Sequence, residues 1–425
     1  MSEHQASAVS RSDRVQAEPP AESTPDGQNR AVDSGADLDG QNRAATAAAQ
    51  TAELTAVLSQ TAAAGANGSR FVRACLSLPV DRTPVWFLRQ AGRYMPEYMA
   101  VRRHHSLLEI CRDPALAAEV TIAAAERLGV DAAIIFADLL LPFTPMGLDF
   151  EFVADQGPIV HAPIRSAAQV RALRTDRTAD LLYVSRAIEK VAGHFAAPGS
   201  GPDELGIIGF CGAPFTLASY MIEGGSSRNY IETKRLMYAS GEGSMALTAP
   251  GQESLAWPLL MEKLVTVLAA YAAQQVAAGA QVIQVFDSWA GALAPTDYRQ
   301  YVLAPTTELI RRIQTLGVPV IYFGVDTAAL LPAMRETGAE VLGLDWRIPL
   351  DHAWRALHYR TAVQGNLDPI TLFAPEKVLE ARVAEILRLA AKRPGHIFNL
   401  GHGIVPGTPV SAVLQVVHQI KHSAP

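Results

Sequence analysis

The stretch PLLMEKLVTVLAAYAAQQVAAGAQVIQVFDSW, residues 258–289, decides the fold. Its first part carries apolar residues at helical spacing, and the part from residue 281 is a short Val/Ile/Phe run ending in polar side chains. A helix leading into a continuous, non-alternating apolar run is the pattern of a parallel strand buried on both faces. The same texture recurs outward in both directions. PVWFLR (from 84), AAIIFADLL (132), LGIIGFCGAPF (205), VPVIYFGV (318), EVLGLDW (340), TAVQGNL (361) and HIFNLGHGI (396) are further runs of this kind. Helical stretches such as DPALAAEVTIAAAERLGV and TTELIRRIQTLG separate them.

Eight strand–helix units predict an α/β fold, a (β/α)8 TIM barrel forming a single domain over residues 67–425. A doubly wound open sheet is the competing arrangement. Against it, no GxGxxG follows the first run, and polar residues end nearly every run instead of gathering at one crevice. The segment 239–256, ASGEGSMALTAPGQESLA, reads as a flexible insertion in the third unit. Residues 1–66 are rich in Ala, Ser, Gln, Asp and Gly, repeat DGQNRA at 26–31 and 39–44, and are expected to be a disordered acidic tail.

That tail has nine acidic and four basic side chains, so five of the chain's six net negative charges lie in it. The remainder is nearly neutral, and an anionic substrate must be recognised by local arginines, not by a global field. The three cysteines, Cys75, Cys111 and Cys211, have no CxxC spacing, which argues against a disulfide framework and fits a reducing compartment. With no apolar signal-like stretch near residue 1 and no long uninterrupted apolar run, a cytoplasmic protein is expected, with neither a membrane nor a nucleic acid as partner.

In a barrel the strand C-termini converge on one mouth. Those ends carry Arg89, Gln90, Ala91, Gly92 and Arg93 after the first run, with Arg102 and Arg103 downstream, and Asp138 after the second. Tyr220 follows the third, Asp287 and Ser288 end the fourth, and Asp345, Asn366, Asn399 and His402 close the later ones. Two arginines flanking Gln-Ala-Gly suit bidentate contacts to carboxylates or phosphates; their structural alternative is pairing with a barrel-end acid such as Asp345. Gly92, and the glycines on either side of His402, suggest close approach of the backbone to a ligand. Asp138 could equally cap a helix, Tyr220 belong to the core, and Ser288 lacks a nucleophile elbow. No P-loop is present, and the adjacent His104 and His105 make a poor metal pair. The residues point to a barrel enzyme acting on an anionic small molecule without metal or nucleotide.

FLRQAGRYMPEY, FADLLLP, GFCGAPFTLASYMIEGG, FDSWAG and FNLGHGI, in that order, resemble the uroporphyrinogen decarboxylase family of tetrapyrrole biosynthesis, from about residue 67 to the C-terminus. The resemblance implies a cytoplasmic, cofactor-free homodimer that removes carbon dioxide from the four acetates of uroporphyrinogen III to give coproporphyrinogen III. It implies substrate-binding roles for Arg89, Gln90, Ala91, Gly92, Arg93, Arg102, Asp138, Tyr220, Ser288 and His402, and catalytic roles for Asp138, Arg89 and His402. Asp138 would face the pyrrole N–H groups, and either an arginine or His402 would deliver a proton. Asp287 and Trp289 match less securely. Two other readings are a zinc-dependent methyltransferase, for which Cys211 is the one cysteine near a strand end, and a non-enzymatic tetrapyrrole carrier.

Overall fold

In the computed structural model the described residues are 68–153, 156–196, 205–240 and 255–423. The expected tail, 1–66, and most of the expected insertion, 241–254, lie outside them.

Seven parallel strands form one curled sheet: β1 (Ala132–Ile134), β4 (Gly206–Gly212), β5 (Val282–Asp287), β6 (Val320–Gly324), β7 (Val341–Gly343), β8 (Ala362–Gln364) and β9 (His396–Ile397), side by side in that order. Between β1 and β4 the chain inserts an antiparallel hairpin, β2 (Phe150–Val153) with β3 (Gly157–Val160), which pairs Phe150 with Val160. Every residue of β4 and β6 is buried, as continuous apolar runs require.

The expected first strand is a correction. PVWFLR is no regular strand; its Val85 makes a single parallel bridge to Phe398. Pro84 has no N–H to give to a ladder. Its carbonyl accepts from Phe398 N at 2.9 Å, Trp86 N donates to Phe398 O at 3.3 Å, and Asp131 N donates to Val85 O at 2.8 Å. This irregular eighth stave therefore joins β9 to the entry of β1 and closes the barrel.

The local sequence explains the flanking elements. Helix Pro114–Leu128 starts at Asp113, whose carboxylate accepts from Ala115 N at 2.7 Å, and ends at Gly129 with φ +63°. Helix Ala256–Ala277 is long and apolar enough to cross a membrane by length and composition. Here it packs on the barrel, and Gln275 in its last turn completes a two-way bond with the Phe210 backbone, 2.9 Å in each direction.

Candidate active site

The mouth is built from the first stave. Leu88 is held at both backbone atoms: its N–H donates to Asn399 Oδ1 at 3.0 Å and its carbonyl accepts from Ile404 N at 2.9 Å. The chain then turns, and Arg89 adopts φ +59°. A non-glycine residue in that region costs about 1 kcal/mol or more, so the surrounding bonds must enforce it. Gln90 is buried, with Oε1 accepting from Phe87 N at 3.2 Å and Nε2 donating to Ala132 O at 3.1 Å. Its side chain thus braces the stave against β1. Ala91 and Gly92 follow, half-buried.

The glycines make room for protein atoms. A Cβ on Gly92 would lie 2.9 Å from Arg89 O, and one on Gly403 would lie 2.4 Å from Arg89 Cδ. On Gly401 it would meet Trp346 N at 2.4 Å. Close approach at these positions brings together the Arg89 turn and the β7 loop.

Arg89 and Arg93 are both exposed, and neither makes a hydrogen bond or ion pair with a described residue. Asp345, the acid considered as their partner, is taken: its carboxylate bonds Arg347 Nη1 at 2.5 Å and Asp326 N at 2.6 Å. Arg102 folds back, its guanidinium bonding the His105 carbonyl.

Asp138 follows β1, and one carboxylate oxygen accepts from Leu140 N at 2.9 Å. Burial pushes its pKa from 3.8 to about 6, against the pull of that bond and of the Arg89 charge. Tyr220, on helix Pro214–Glu223, senses both Asp138 and Arg89; burial first, then the Asp138 charge, raises its phenol to about 12, so it stays protonated. His402 senses Arg89 and Arg347, and burial followed by these cations lowers it to about 4. Its Nδ1 accepts from Gly403 N at 2.7 Å, which leaves the hydrogen of the neutral ring on Nε2. Arg89, Asp138, Tyr220 and His402 thus share one electrostatic neighbourhood. Ser288 is half-buried at the end of β5, with no hydrogen bond to a described residue. Asp287 sits deeper, fully buried, accepting from Thr216 Oγ1 at 2.6 Å and Tyr322 Oη at 2.7 Å. Asn366 and Asn399 likewise bond backbone, the former to Asp345 O at 2.8 Å.

Two residues of the mouth were not singled out from the sequence. Arg347 follows Asp345 by two positions and lies 4.2 Å over the Trp346 ring; the polar tail of the β7 run, DWR, was its signal. Tyr230 sits 5.2 Å from the Trp289 ring. Its loop position carried no signal. A cleft of about 670 Å³ lies between helices Ala256–Ala277 and Leu303–Gln314 and includes none of the mouth residues. Among the described residues no group of three His, Cys, Asp or Glu could hold a metal ion. Cys211, needed for the methyltransferase reading, is buried within β4.

Comparison with known proteins gives a consistent result. The sequence profile of uroporphyrinogen decarboxylase (URO-D) matches residues 67–423. The uroporphyrinogen decarboxylase of Koribacter versatilis is 59% identical over 349 residues, covering 82% of this chain and 94% of its own. That of Solibacter usitatus is 49% identical over 357 residues, covering 84% and 98%. Among solved structures, a methyltransferase from Methanosarcina mazei superposes with a TM-score of 0.66 at 21% identity, covering 84% of this chain and 99% of its own. At that identity the likeness is one of fold.

Proposed function

We infer how this mouth works from the premise that the chain belongs to the uroporphyrinogen decarboxylase family. It is a carboxy-lyase that decarboxylates the acetate side chains of uroporphyrinogen in tetrapyrrole biosynthesis. The catalytic unit we assign to residues 67–425, the substrate to uroporphyrinogen III, and the working form to a cytoplasmic homodimer using protein side chains alone.

One observation supports the site assignment above the others. Asp138, a half-buried carboxylate with no ion-pair partner among the described residues, feels the charge of the unpaired Arg89, and the unpaired Arg93 follows four positions on. The substrate complements this with several carboxylates and four pyrrole N–H groups. Arg89 and Arg93 bind carboxylates, where a planar guanidinium offers paired donors. Ser288, Tyr220 and the Nε2–H of His402 donate further hydrogen bonds.

Direct loss of carbon dioxide from a pyrrole acetate would leave an unstabilised carbanion. Protonation of the adjacent ring carbon first gives a cationic ring. As the bond to the carboxylate breaks, its electron pair flows into that ring and forms an exocyclic methylene. Protonation of the methylene and loss of the ring proton then leave a methyl group, so one proton replaces each carbon dioxide. The Asp138 carboxylate accepts from the pyrrole N–H groups and stabilises the cation, in a setting where desolvation strengthens the effect. With its pKa lowered to about 4, His402 is neutral near pH 7 and suits a hydrogen-bond donor better than a general acid.

The test is anaerobic incubation with uroporphyrinogen III and separation of products by carboxylate number. D138A is expected to lose at least about 100-fold in turnover while staying folded. Turnover like that of the unaltered enzyme would remove Asp138 from the mechanism, and unaltered substrate with the parent protein would favour a carrier.

A further inference from the structure

Beyond the residues that meet substrate, the structure links a buried acid to the mouth through a chain of contacts. Asp287 is wholly inside the barrel. It accepts from Thr216 Oγ1 at 2.6 Å, and the same hydroxyl oxygen accepts from Trp289 N at 3.2 Å. The half-buried Trp289 ring then lies on Tyr220, with centroids 3.8 Å apart and planes 31° apart. Trp289 is fixed on its far side too. A Cβ on Gly291 would lie 2.3 Å from Val325 O, and Lys234 Nζ donates to Ala292 O at 2.7 Å. The turn is therefore pinned by a hydrogen bond at each end, and between them Gly291 packs closely on the Val325 carbonyl.

Tyr220 needs such support. Its phenol makes no hydrogen bond with a described residue, and its ring is on a helix whose other side packs in the core. The Trp289 ring covers one face of the Tyr220 ring and limits its rotation from that side.

We propose that Trp289, anchored by Thr216 and Asp287, is a positioning residue that orients the Tyr220 hydroxyl toward a substrate carboxylate. The proposal rests on the assignment of the mouth around Asp138 as the site. Trp289 acts through Tyr220. Asp287 acts by fixing the Thr216 hydroxyl, whose single hydrogen goes to the carboxylate and whose lone pair is thereby left for Trp289 N–H. The carboxylate's second oxygen is held by Tyr322 at 2.7 Å, so it cannot turn to other partners.

A double-mutant cycle with the full chain and uroporphyrinogen III tests this, with melting temperature measured alongside. W289A is expected to lower kcat/KM about 3- to 10-fold, the worth of an aromatic stack, and Y220F by a similar factor. Because Trp289 acts through Tyr220, W289A/Y220F should be no worse than the poorer single variant. W289F keeps a stacking ring and should recover most of the loss. T216S keeps the hydroxyl and should act as the parent, whereas T216V should fall with W289A. Additive losses in the cycle, or a W289A enzyme with parental kcat/KM, would overturn the relay. If D138A is inactive while W289A is unaffected, only the relay falls; if D138A is fully active, the mouth assignment falls and the relay with it.

Discussion

The two ends of the first stave carry the same residue types and use them in opposite ways. At its entry, Arg70 and Arg82 converge on Asp131, with Arg82 bonding the two carboxylate oxygens at 2.6 and 2.8 Å and Arg70 bonding one at 3.1 Å. Asp131 also accepts from Val85 N at 2.9 Å, which ties the stave to β1. At its exit, Arg89 and Arg93 have no described partner, and Asp138 has a single backbone donor. Charge at the closed end is consumed by the fold. Charge at the open end is left over, and the fold bears its cost, as the φ of Arg89 and the raised pKa of Asp138 record.

The largest effect should come from breaking the closed end. D131A leaves the half-buried Arg82 guanidinium and the Val85 N–H without their carboxylate acceptor and takes one acid partner from Arg70, which keeps Asp81. Loss of one partner of a buried pair costs about 3–5 kcal/mol, a fall in Tm of roughly 5–15 °C. Activity per folded molecule should stay within about two-fold of the parent, measured on the soluble fraction below the transition. Loss of activity at unchanged Tm would mean that the two ends are not divided as described. The mirror experiment is at the open end. R89A and R93A should each raise KM about 10-fold or more, the worth of a charge-assisted hydrogen bond, with Tm changed by less than about 2 °C. R89K should recover little of the loss, since an ammonium lacks the paired donors of a guanidinium.

What the sequence showed of this division follows from where chain neighbours supply the bonds. β4, β5 and β6 were legible because burial on both faces demands unbroken apolar runs. The hairpin β2–β3 was not, because its half-exposed strands give a weak alternation and their pairing is antiparallel. The first stave looked like a strand by composition, yet two of its N–H groups are satisfied by the side chains of Gln90 and Asn399. The side chains of those two strand-end residues thus hold the wall of the barrel. That Arg89 and Asp138 lie close enough to feel each other's charge could be expected from their position at strand ends alone. That Arg102 folds onto the His105 carbonyl and that Arg347 reaches the neighbourhood of His402 are matters of side-chain direction, which spacing along the chain does not encode.

The smallest predicted effect is the sharpest test of the contrast, because it has the opposite sign. Removing Asp131 should destabilise; removing the charge of Asp138 should stabilise. The folded state raises the Asp138 pKa from 3.8 to about 6, so it holds a proton more tightly than the unfolded chain does. Whatever stability this acid contributes is present below pH 4 and is lost as pH rises toward 6, where the buried carboxylate must ionise. A shift of this size corresponds to at most about 3 kcal/mol, and the solvent access of the mouth reduces it to about 1 kcal/mol. D138N keeps an oxygen to accept from Leu140 N and carries no charge. Its Tm should match the parent near pH 4 and exceed it by about 2–4 °C at pH 7 to 8. Over the same range the parent's kcat/KM should rise as pH increases through about 6, because the ionised form is the one that stabilises a pyrrole cation. An amide variant no more stable than the parent at pH 8 would mean that Asp138 pays no desolvation cost, and the open end would then be no different in kind from the closed one.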